Sequence, residues 1–192
     1  MPSSPTSTDG VATWNVRRER PSDEAQVHDV VTAAFDDPAV ASLLADMRRD
    51  HCWLGLSFVA EHPERPGHVV GHVAYTRGWV DAPHRLIDVL VLSPLSVRPE
   101  VQRQGVGRQL LHRSLELLRG RPEPVVFLEG DPGYYGSSGF QPAGDLGFHR
   151  PSARIPPAAF QAWQLPTYDT GLSGPLVYPD IFWRHDAVGL RD

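Results

Sequence analysis

Two glycines, Gly105 and Gly107, lie where an apolar, strand-like run gives way to a helical pattern. The run ends at Leu92, and beyond the glycines apolar residues recur at spacings of three, four and seven. At such a junction the first N–H groups of the helix have no partner within it and point outward. With the positive end of the helix dipole they favour an anion, best a phosphate or pyrophosphate. Glycine leaves the backbone accessible to such a ligand, and Arg103 and Arg108 add positive charge beside it.

The residues around these glycines exclude two common nucleotide-binding motifs. A dinucleotide-binding Rossmann turn needs a third glycine at position 110, which is Leu110 in this chain. A phosphate loop needs Gly-Lys-Ser or Gly-Lys-Thr, and the sequence contains no lysine. The glycine turn therefore predicts a phosphorylated ligand that neither of these motifs would bind.

The sequence resembles the GNAT superfamily of acyl-CoA N-acyltransferases at its pyrophosphate-binding motif. The matching residues are Gln102-x-x-Gly105-x-Gly107, with Val97-x-Pro99-Glu100 before them and Leu110-Leu111 after them. A second match to the family is Tyr135-x-x-x-Gly139-Phe140. Segments 92–97, 155–165 and 174–179 are similar to a bacterial subgroup of predicted acetyltransferases, so the resemblance covers roughly residues 14–183.

The predicted order of helices and strands is also the order of the GNAT fold. Residue patterns predict a strand at 14–18 and two helices, one after Ser22 and one after the cap-like pair Asp37-Pro38. Strands follow at 54–60, 69–80 and 86–92, then a helix at 105–120 and a strand at 125–128. The resemblance implies one domain of the α/β (α+β) class, with a mixed, twisted β-sheet and helices on both faces.

The expected domain organisation is simple. Residues 1–11, rich in Ser, Thr and Pro, are predicted to be a disordered tail, and residues 12–183 to be the acetyltransferase domain. Within that domain about 150–183 would shape the acceptor side, and 184–192 would be a C-terminal tail.

The resemblance implies attack of an amine on the thioester of acetyl-CoA, with a thiolate leaving. It assigns the stabilisation of the thioester oxygen to backbone N–H groups around Leu95, Ser96 and Val97. Pro94 would interrupt the strand ladder and open a cleft for the pantetheine arm. Further contacts to the coenzyme are expected from the glycine turn: Gln102, Arg103, Gln104, Gly105, Val106, Gly107 and Arg108.

Two proton transfers need side chains. The family position for the acid that protonates the thiolate is Tyr135, although spacing does not separate it from its neighbour Tyr134. The candidate base is Asp88, an acid in an apolar strand that would need a partner or a shifted pKa, or would lie at the surface. Glu129 is similarly placed at the end of the next strand, and His84 lies in a turn. A water relay, or loss of the proton before binding, also remains open.

Other polar residues have structural interpretations. Asp36 and Asp37 could attract a cationic amine, but a helix cap at Asp37 is the simpler explanation. His68 and His72 share the i, i+4 spacing of helical metal ligands, yet they lie in a strand pattern, where that spacing spans about 13 Å. We therefore expect no metal site.

Composition restricts the partners. A net charge of −5 argues against a nucleic-acid surface, and no apolar run approaches the roughly 20 residues that span a bilayer. The single cysteine, Cys52, cannot form an internal disulfide, which fits a reducing, cytoplasmic location. Exposed edge strands in such sheets often pair, so a homodimer is a further hypothesis. The leading hypothesis is acetyl transfer to a primary amine of a small molecule or peptide. The alternative is a non-catalytic acyl-CoA sensor, and transfer to a hydroxyl would need a stronger base.

Overall fold

A computed structural model describes residues 13–189, and the predicted tail at 1–11 lies outside the described residues. Through residue 129 the order is strand, two helices, three strands, helix and strand, as the sequence predicts. The strands are β1 (Asn15–Arg18), β2 (Trp53–His62), β3 (Arg65–Ala82), β4 (Arg85–Val97), β5 (Val125–Glu129), β6 (Gln141–Pro142), β7 (Phe148–His149), β8 (Phe160–Gln164) and β9 (Gly174–Val177). The helices are α1 (Glu24–Phe35), α2 (Pro38–Met47), α3 (Val106–Leu118), α4 (Pro132–Tyr135) and α5 (Asp180–Arg184).

The strands form a mixed sheet in the order β1-β2-β3-β4-β5-β8-β6. β4 and β5, which α3 connects, are parallel, and the other neighbours along this path are antiparallel. β9 pairs with β3 at Trp79 and Val80, and also with β7. The mixed sheet and its helices confirm the predicted fold class.

The alternation of side chains along the strands divides the core into two layers. On one face α1, α2 and α5 pack over side chains such as Val59, Ala74 and Val91. On the other face the apolar stripe of α3, with Leu110 and Leu111, packs over the inner strands. The sheet therefore carries helices on both of its faces.

Asp37 performs the predicted helix cap. Its side chain accepts a hydrogen bond of 2.8 Å from the backbone N–H of Ala39, in the first turn of α2. This bond satisfies one of the free donors at the start of the helix. The capping interpretation of Asp37 is confirmed.

Three boundaries differ from the sequence predictions. The loop expected at 61–67 is shorter, because β2 extends to His62 and β3 begins at Arg65. β4 does not end at Leu92 but continues past Pro94 to Val97. The predicted tail at 184–192 begins too early, because α5 ends at Arg184 and Val188 is fully buried.

A buried polar cluster joins β2 and β3 to the ends of β1 and α2. The His72 Nε2 atom lies 2.8 Å from the Ser57 hydroxyl, which donates to Glu19, and Arg48 lies 2.7 Å from the same carboxylate. Burial alone would raise the pKa of Glu19, but hydrogen bonds from His72, Ser57 and Arg48 lower it to about 2. His72 is therefore a structural partner of Ser57, on the same strand as His68.

Among residues 13–189, no group of three or more His, Cys, Asp or Glu side chains is arranged to hold a metal ion. No helix in the same range is both long enough and apolar enough to cross a membrane. Cys52 is a buried free thiol.

Candidate active site

The sheet opens between β4 and β5. The two strands pair only at Leu90 with Val126 and at Val91 with Phe127, and beyond these positions they are no longer paired. Pro94 lies at a register shift, where Ser93 and Pro94 of β4 face the single residue Ala74 of β3. Such a bulge bends a strand without ending its ladder. A gap at this point agrees with the expectation for Pro94, although pairing with β3 continues.

Beyond the bulge, one edge of β4 presents unpaired backbone groups. The N–H of Arg98 donates to Val70 on β3 at 2.8 Å. Because N–H groups point alternately to the two sides of a strand, Ser96 also donates toward β3, whereas Leu95 and Val97 point into the gap. The Val97 carbonyl agrees with this, since it accepts a bond of 3.0 Å from the Gln102 side chain rather than from β3. The sheet therefore offers donors at Leu95 and Val97.

Ser96 does not fit its predicted role. Its N–H faces β3 because it pairs directly with His72, and its side chain is buried on the α1 face of the sheet. The same alternation that exposes its two neighbours turns Ser96 away from the gap. This prediction is corrected.

The glycine turn borders the open end of the groove. Arg103 and Gly105 have left-handed backbone angles, with φ of 61° and 85°, and α3 begins at the next residue. The first helical bond runs from the Gln109 N–H to the Gly105 carbonyl at 3.0 Å. The N–H groups that precede Gln109 are the free donors of the first turn. They border a cavity of about 620 Å³ that extends to Leu95 and Val97.

Most of the predicted coenzyme residues meet at this cavity. The predicted residues that line it are Leu95, Val97, Gln102, Arg103, Gly105, Gly107, Arg108 and Tyr135. Val106 instead packs into the core, with an exposed fraction of 1%. Gln104 turns away, since its side chain donates to Glu100 and its carbonyl accepts from the Trp14 indole. Phe35, at the end of α1, also lines the cavity, and no sequence pattern had indicated this.

Both tyrosines line the same cavity but have different surroundings. The Tyr135 ring lies against Gly130 and packs edge-on against Phe140, with ring centroids 5.8 Å apart. The Tyr134 hydroxyl lies against Gly107, so that a Cβ atom at this glycine would overlap it. Burial raises the pKa of both phenols, which therefore hold their protons at neutral pH. Tyr135 is at the opening of the sheet, and Tyr134 is at the glycine turn.

A second cavity, of about 470 Å³, lies beside the ends of β4 and β5. Side chains alternate along β5, so Leu128 packs on the α3 face and Glu129 points to the opposite face. Glu129 lines this cavity together with Ser93 and with Tyr178, which precedes α5. The second cavity is therefore next to the strand gap on the face to which Glu129 points, whereas Tyr135 of the first cavity packs on the α3 face.

Gly130 lies between the Tyr135 ring and the second cavity. Its backbone lines the second cavity, while the Tyr135 ring of the first cavity lies directly against its Cα side. Its N–H donates to Ala159 at 3.0 Å, and its carbonyl accepts from the Gln161 side chain at 3.1 Å. Both bonds come from the β8 region and hold Gly130 in place.

Glu129, and not Asp88, is the carboxylate that the fold brings to the gap. Asp88 lies at the start of β4, five residues before Ser93, about 16 Å along an extended strand. Its side chain is 57% exposed, and its ionic contact is with Arg77 at 3.9 Å. The structure therefore does not support the prediction of a base at Asp88. His84 is exposed in the turn before β4.

A sheet split beside a glycine turn that begins a helix defines the architecture of the GNAT fold. The chain matches the family model described as "Acetyltransferase (GNAT) domain" over residues 15–143. It is 36% identical over 136 residues to the Uncharacterized N-acetyltransferase YjhQ of Escherichia coli (strain K12), which covers 68% of this chain and 71% of YjhQ. It is 32% identical over 172 residues to the Uncharacterized N-acetyltransferase YhbS of the same strain, which covers 88% of this chain and 98% of YhbS.

Solved structures agree with these sequence matches. The crystal structure of YhbS from Escherichia coli in complex with CoA superposes with a TM-score of 0.79 at 28% identity, over 93% of this chain and 97% of that one. A GNAT family acetyltransferase from Brucella melitensis in complex with acetyl-CoA gives a TM-score of 0.69 at 27% identity, over 88% and 98%. The chain belongs to the GNAT family of N-acetyltransferases, which confirms the resemblance seen in its sequence.

Proposed function

We propose that this protein transfers the acetyl group of acetyl-CoA to a primary amine of a small molecule or peptide. The observation that carries the proposal is the groove of about 620 Å³, which joins a helix N-terminus to the unpaired edge of β4 and to a phenol. The related proteins YhbS and the Brucella melitensis acetyltransferase support it, since they were crystallised with CoA and acetyl-CoA.

In this proposal the glycine turn binds the pyrophosphate of the coenzyme. The free N–H groups at Gly105 to Arg108 point at the phosphates, and the helix dipole favours their negative charge. The guanidinium groups of Arg103 and Arg108 line the same groove and add ionic contacts. Gln102 acts indirectly, because its amide is bound to the Val97 carbonyl.

The pantetheine arm follows the free edge of β4. Amide groups along an extended arm can pair with Leu95 and Val97 as an added strand would. The thioester oxygen then accepts from a backbone N–H at this edge, where negative charge develops during attack. Tyr135 donates its proton to the departing thiolate, since its ring stands at the opening of the sheet. The amine approaches from the cavity on the other face.

We also propose a cytoplasmic location and a homodimer. The supply of acetyl-CoA and the free thiol of Cys52 are consistent with a cytoplasmic enzyme. β1 and β6 end the strand path and offer edges through which two copies could pair into a homodimer. Sedimentation at several protein concentrations tests the homodimer.

A thiol-release assay with acetyl-CoA and a panel of primary amines tests the function, followed by longer acyl chains. We expect release of CoA thiol that depends on both the enzyme and the amine. The alternative, a non-catalytic sensor, predicts tight binding of CoA in calorimetry and no release with any amine. A protein that neither binds CoA nor releases thiol would contradict both hypotheses.

A further inference from the structure

The charged side chains that line the second cavity, next to the strand gap, are acidic. Glu129 and Asp131 line it, and no arginine or histidine is among the described residues that do so. Asp131 is exposed and accepts a bond of 3.0 Å from the Gly133 N–H, so its negative charge stays at the rim. Much of the remaining wall is apolar, with Val91, Leu92 and Phe182 among its residues. Such a lining suits a cation on an apolar body and repels an anion.

Glu129 is the deeper of the two carboxylates, and the C-terminal segment holds it in position. Its Oε2 atom accepts a bond of 3.0 Å from the Gly189 N–H, and the Tyr178 hydroxyl also donates to it. Tyr178 is in turn stacked on Phe182, with ring centroids 5.1 Å apart. A carboxylate held by two donors keeps further lone pairs for a ligand.

The position of Glu129 relative to Tyr135 is defined by one residue. Gly130 follows Glu129 directly, and the Tyr135 ring lies against it on the α3 face. The proposed acid and Glu129 therefore flank the same short piece of backbone, one on each side of the sheet. An amine in the cavity and a thioester in the groove would meet at the strand gap between them.

We propose that Glu129 is the catalytic base for the amine, and that with Asp131 it selects acceptors that carry no carboxylate beside the amino group. This inference rests on the proposed function. An arylalkyl or alkyl amine satisfies it, because its ammonium faces the carboxylates and its body faces the apolar wall. A free α-amino acid would bring its own carboxylate against them.

The proton balance is complete without another reactant. The acceptor enters as an ammonium and passes one proton to Glu129, which releases it to solvent. The free amine attacks the carbonyl carbon, the N–C bond forms and the C–S bond breaks. Glu129 also takes the second proton from the nitrogen and releases it, while Tyr135 gives its proton to the thiolate and recovers one from solvent. The net reaction yields an acetamide, CoA thiol and one released proton.

The surroundings of Glu129 set the expected pH dependence. Burial raises its pKa, while the bonds from Tyr178 and Gly189 and the charge of Arg154 oppose this rise. Asp131 is the charged neighbour on its own segment. The base works only when ionised, so kcat/KM should fall as the pH drops through this raised pKa and level off above it.

Glu129→Gln tests the base. At pH 7 we expect kcat/KM for phenethylamine to fall by about 10²-fold, with the affinity for CoA nearly unchanged. The variant should depend on amine that is already neutral, so its rate should rise about tenfold per pH unit toward the amine pKa, near 10. Glu64→Gln, in the exposed hairpin turn, is the matched control and should keep the wild-type profile. If Glu129→Gln binds CoA and its kcat/KM still levels off with pH at the wild-type value, the assignment of Glu129 as the base is wrong.

Matched acceptors test the selection in the wild-type enzyme, which needs no variant to fold. Phenethylamine and phenylalaninamide should react, and phenylalanine should have a kcat/KM lower by about tenfold or more. Asp131→Asn should reduce this difference in kcat/KM between phenylalanine and the two amines without a carboxylate. Equal rates for phenylalanine and its amide would overturn the selection.

The two failures can be told apart. If acetyl-CoA does not bind and no amine releases thiol, the proposed function itself fails. If thiol is released but phenylalanine is preferred, or Glu129→Gln keeps its plateau, only this inference fails. Should Glu129→Gln not fold, Glu129→Asp takes its place, with a reduced rate and a retained plateau expected.

Discussion

The two cavities beside the strand gap are built in different ways. The coenzyme groove takes most of its lining from two short stretches, 95–108 and 134–135. The second cavity, the proposed acceptor cavity, takes its lining from five places along the chain: 91–93, 129–132, 156–159, 178–182 and 187–189. Under the proposed function, the ligand that the family shares is thus bound by a local motif, whereas the surface proposed for the acceptor depends on how distant segments pack.

The comparison also separates two kinds of chemistry. The groove offers backbone N–H groups and a phenol that keeps its proton because burial raises its pKa. The cavity offers a carboxylate, Glu129, which accepts protons when ionised. Gly130 contacts both sides, because its backbone lines the cavity and the Tyr135 ring of the groove lies against its Cα. Substitutions on the two sides should therefore change different kinetic constants.

The largest effect in the groove is expected for Tyr135→Phe. This change removes the proton donor and keeps the ring that packs against Gly130 and Phe140. We expect kcat to fall by roughly 10²-fold or more, with little change in CoA affinity or in KM for the amine. Steady-state kinetics and calorimetry measure these quantities.

Tyr134→Phe is the internal control for this prediction. Its hydroxyl lies against Gly107 rather than at the strand gap, so its loss should cost much less activity. Equal losses in the two variants would point to packing of the whole turn. A loss confined to the Tyr134 variant would show that Tyr134, and not Tyr135, is the acid.

A smaller effect is expected for Gly107→Val. The new side chain blocks the approach of the pyrophosphate to the backbone, so the Kd for CoA should rise at least about tenfold, or 1.4 kcal/mol. The valine also meets the Tyr134 hydroxyl, and the double variant with Tyr134→Phe relieves that overlap. Calorimetry should find weak binding in both. Recovered affinity in the double variant would trace the effect to Tyr134 instead.

The smallest effect is expected for Asp88→Asn. Asp88 is exposed at the far end of β4 and faces Arg77. Because it lies outside both cavities, kcat and kcat/KM should stay within about twofold of wild type, as for a surface substitution that touches neither ligand. A loss of activity as large as that expected for Glu129→Gln would instead support Asp88 as the base.

The sequence indicated residues that line the first cavity where those residues are close together in the chain. Gly105 and Gly107 could be located from the change of periodicity, whereas Tyr135 was chosen over Tyr134 by its resemblance to the family position before Gly139-Phe140. The order of elements through β5 was predicted for the same reason, since each element shows its own periodicity. Where strand pairing decides, prediction failed, and Ser96 was assigned to the gap although its N–H faces β3.

The acceptor cavity could not be predicted in this way. Tyr178 and Gly189 reach Glu129 from 49 and 60 residues further along the chain, and no local pattern indicates such contacts. Asp88 and Glu129 look alike in sequence, as acids in or after an apolar strand. The two differ in the fold because β4 and β5 pair at two positions, with Asp88 before the paired part and Glu129 after it, at the gap.

The central claim is that groove and cavity are two halves of one site, joined through the gap between β4 and β5. A bisubstrate adduct tests it, in which the sulfur of CoA carries an acetamide linked to phenethylamine. If both halves bind at once, calorimetry should give a Kd about 100-fold below that of CoA, because the second half binds intramolecularly. An affinity equal to that of CoA would contradict the claim.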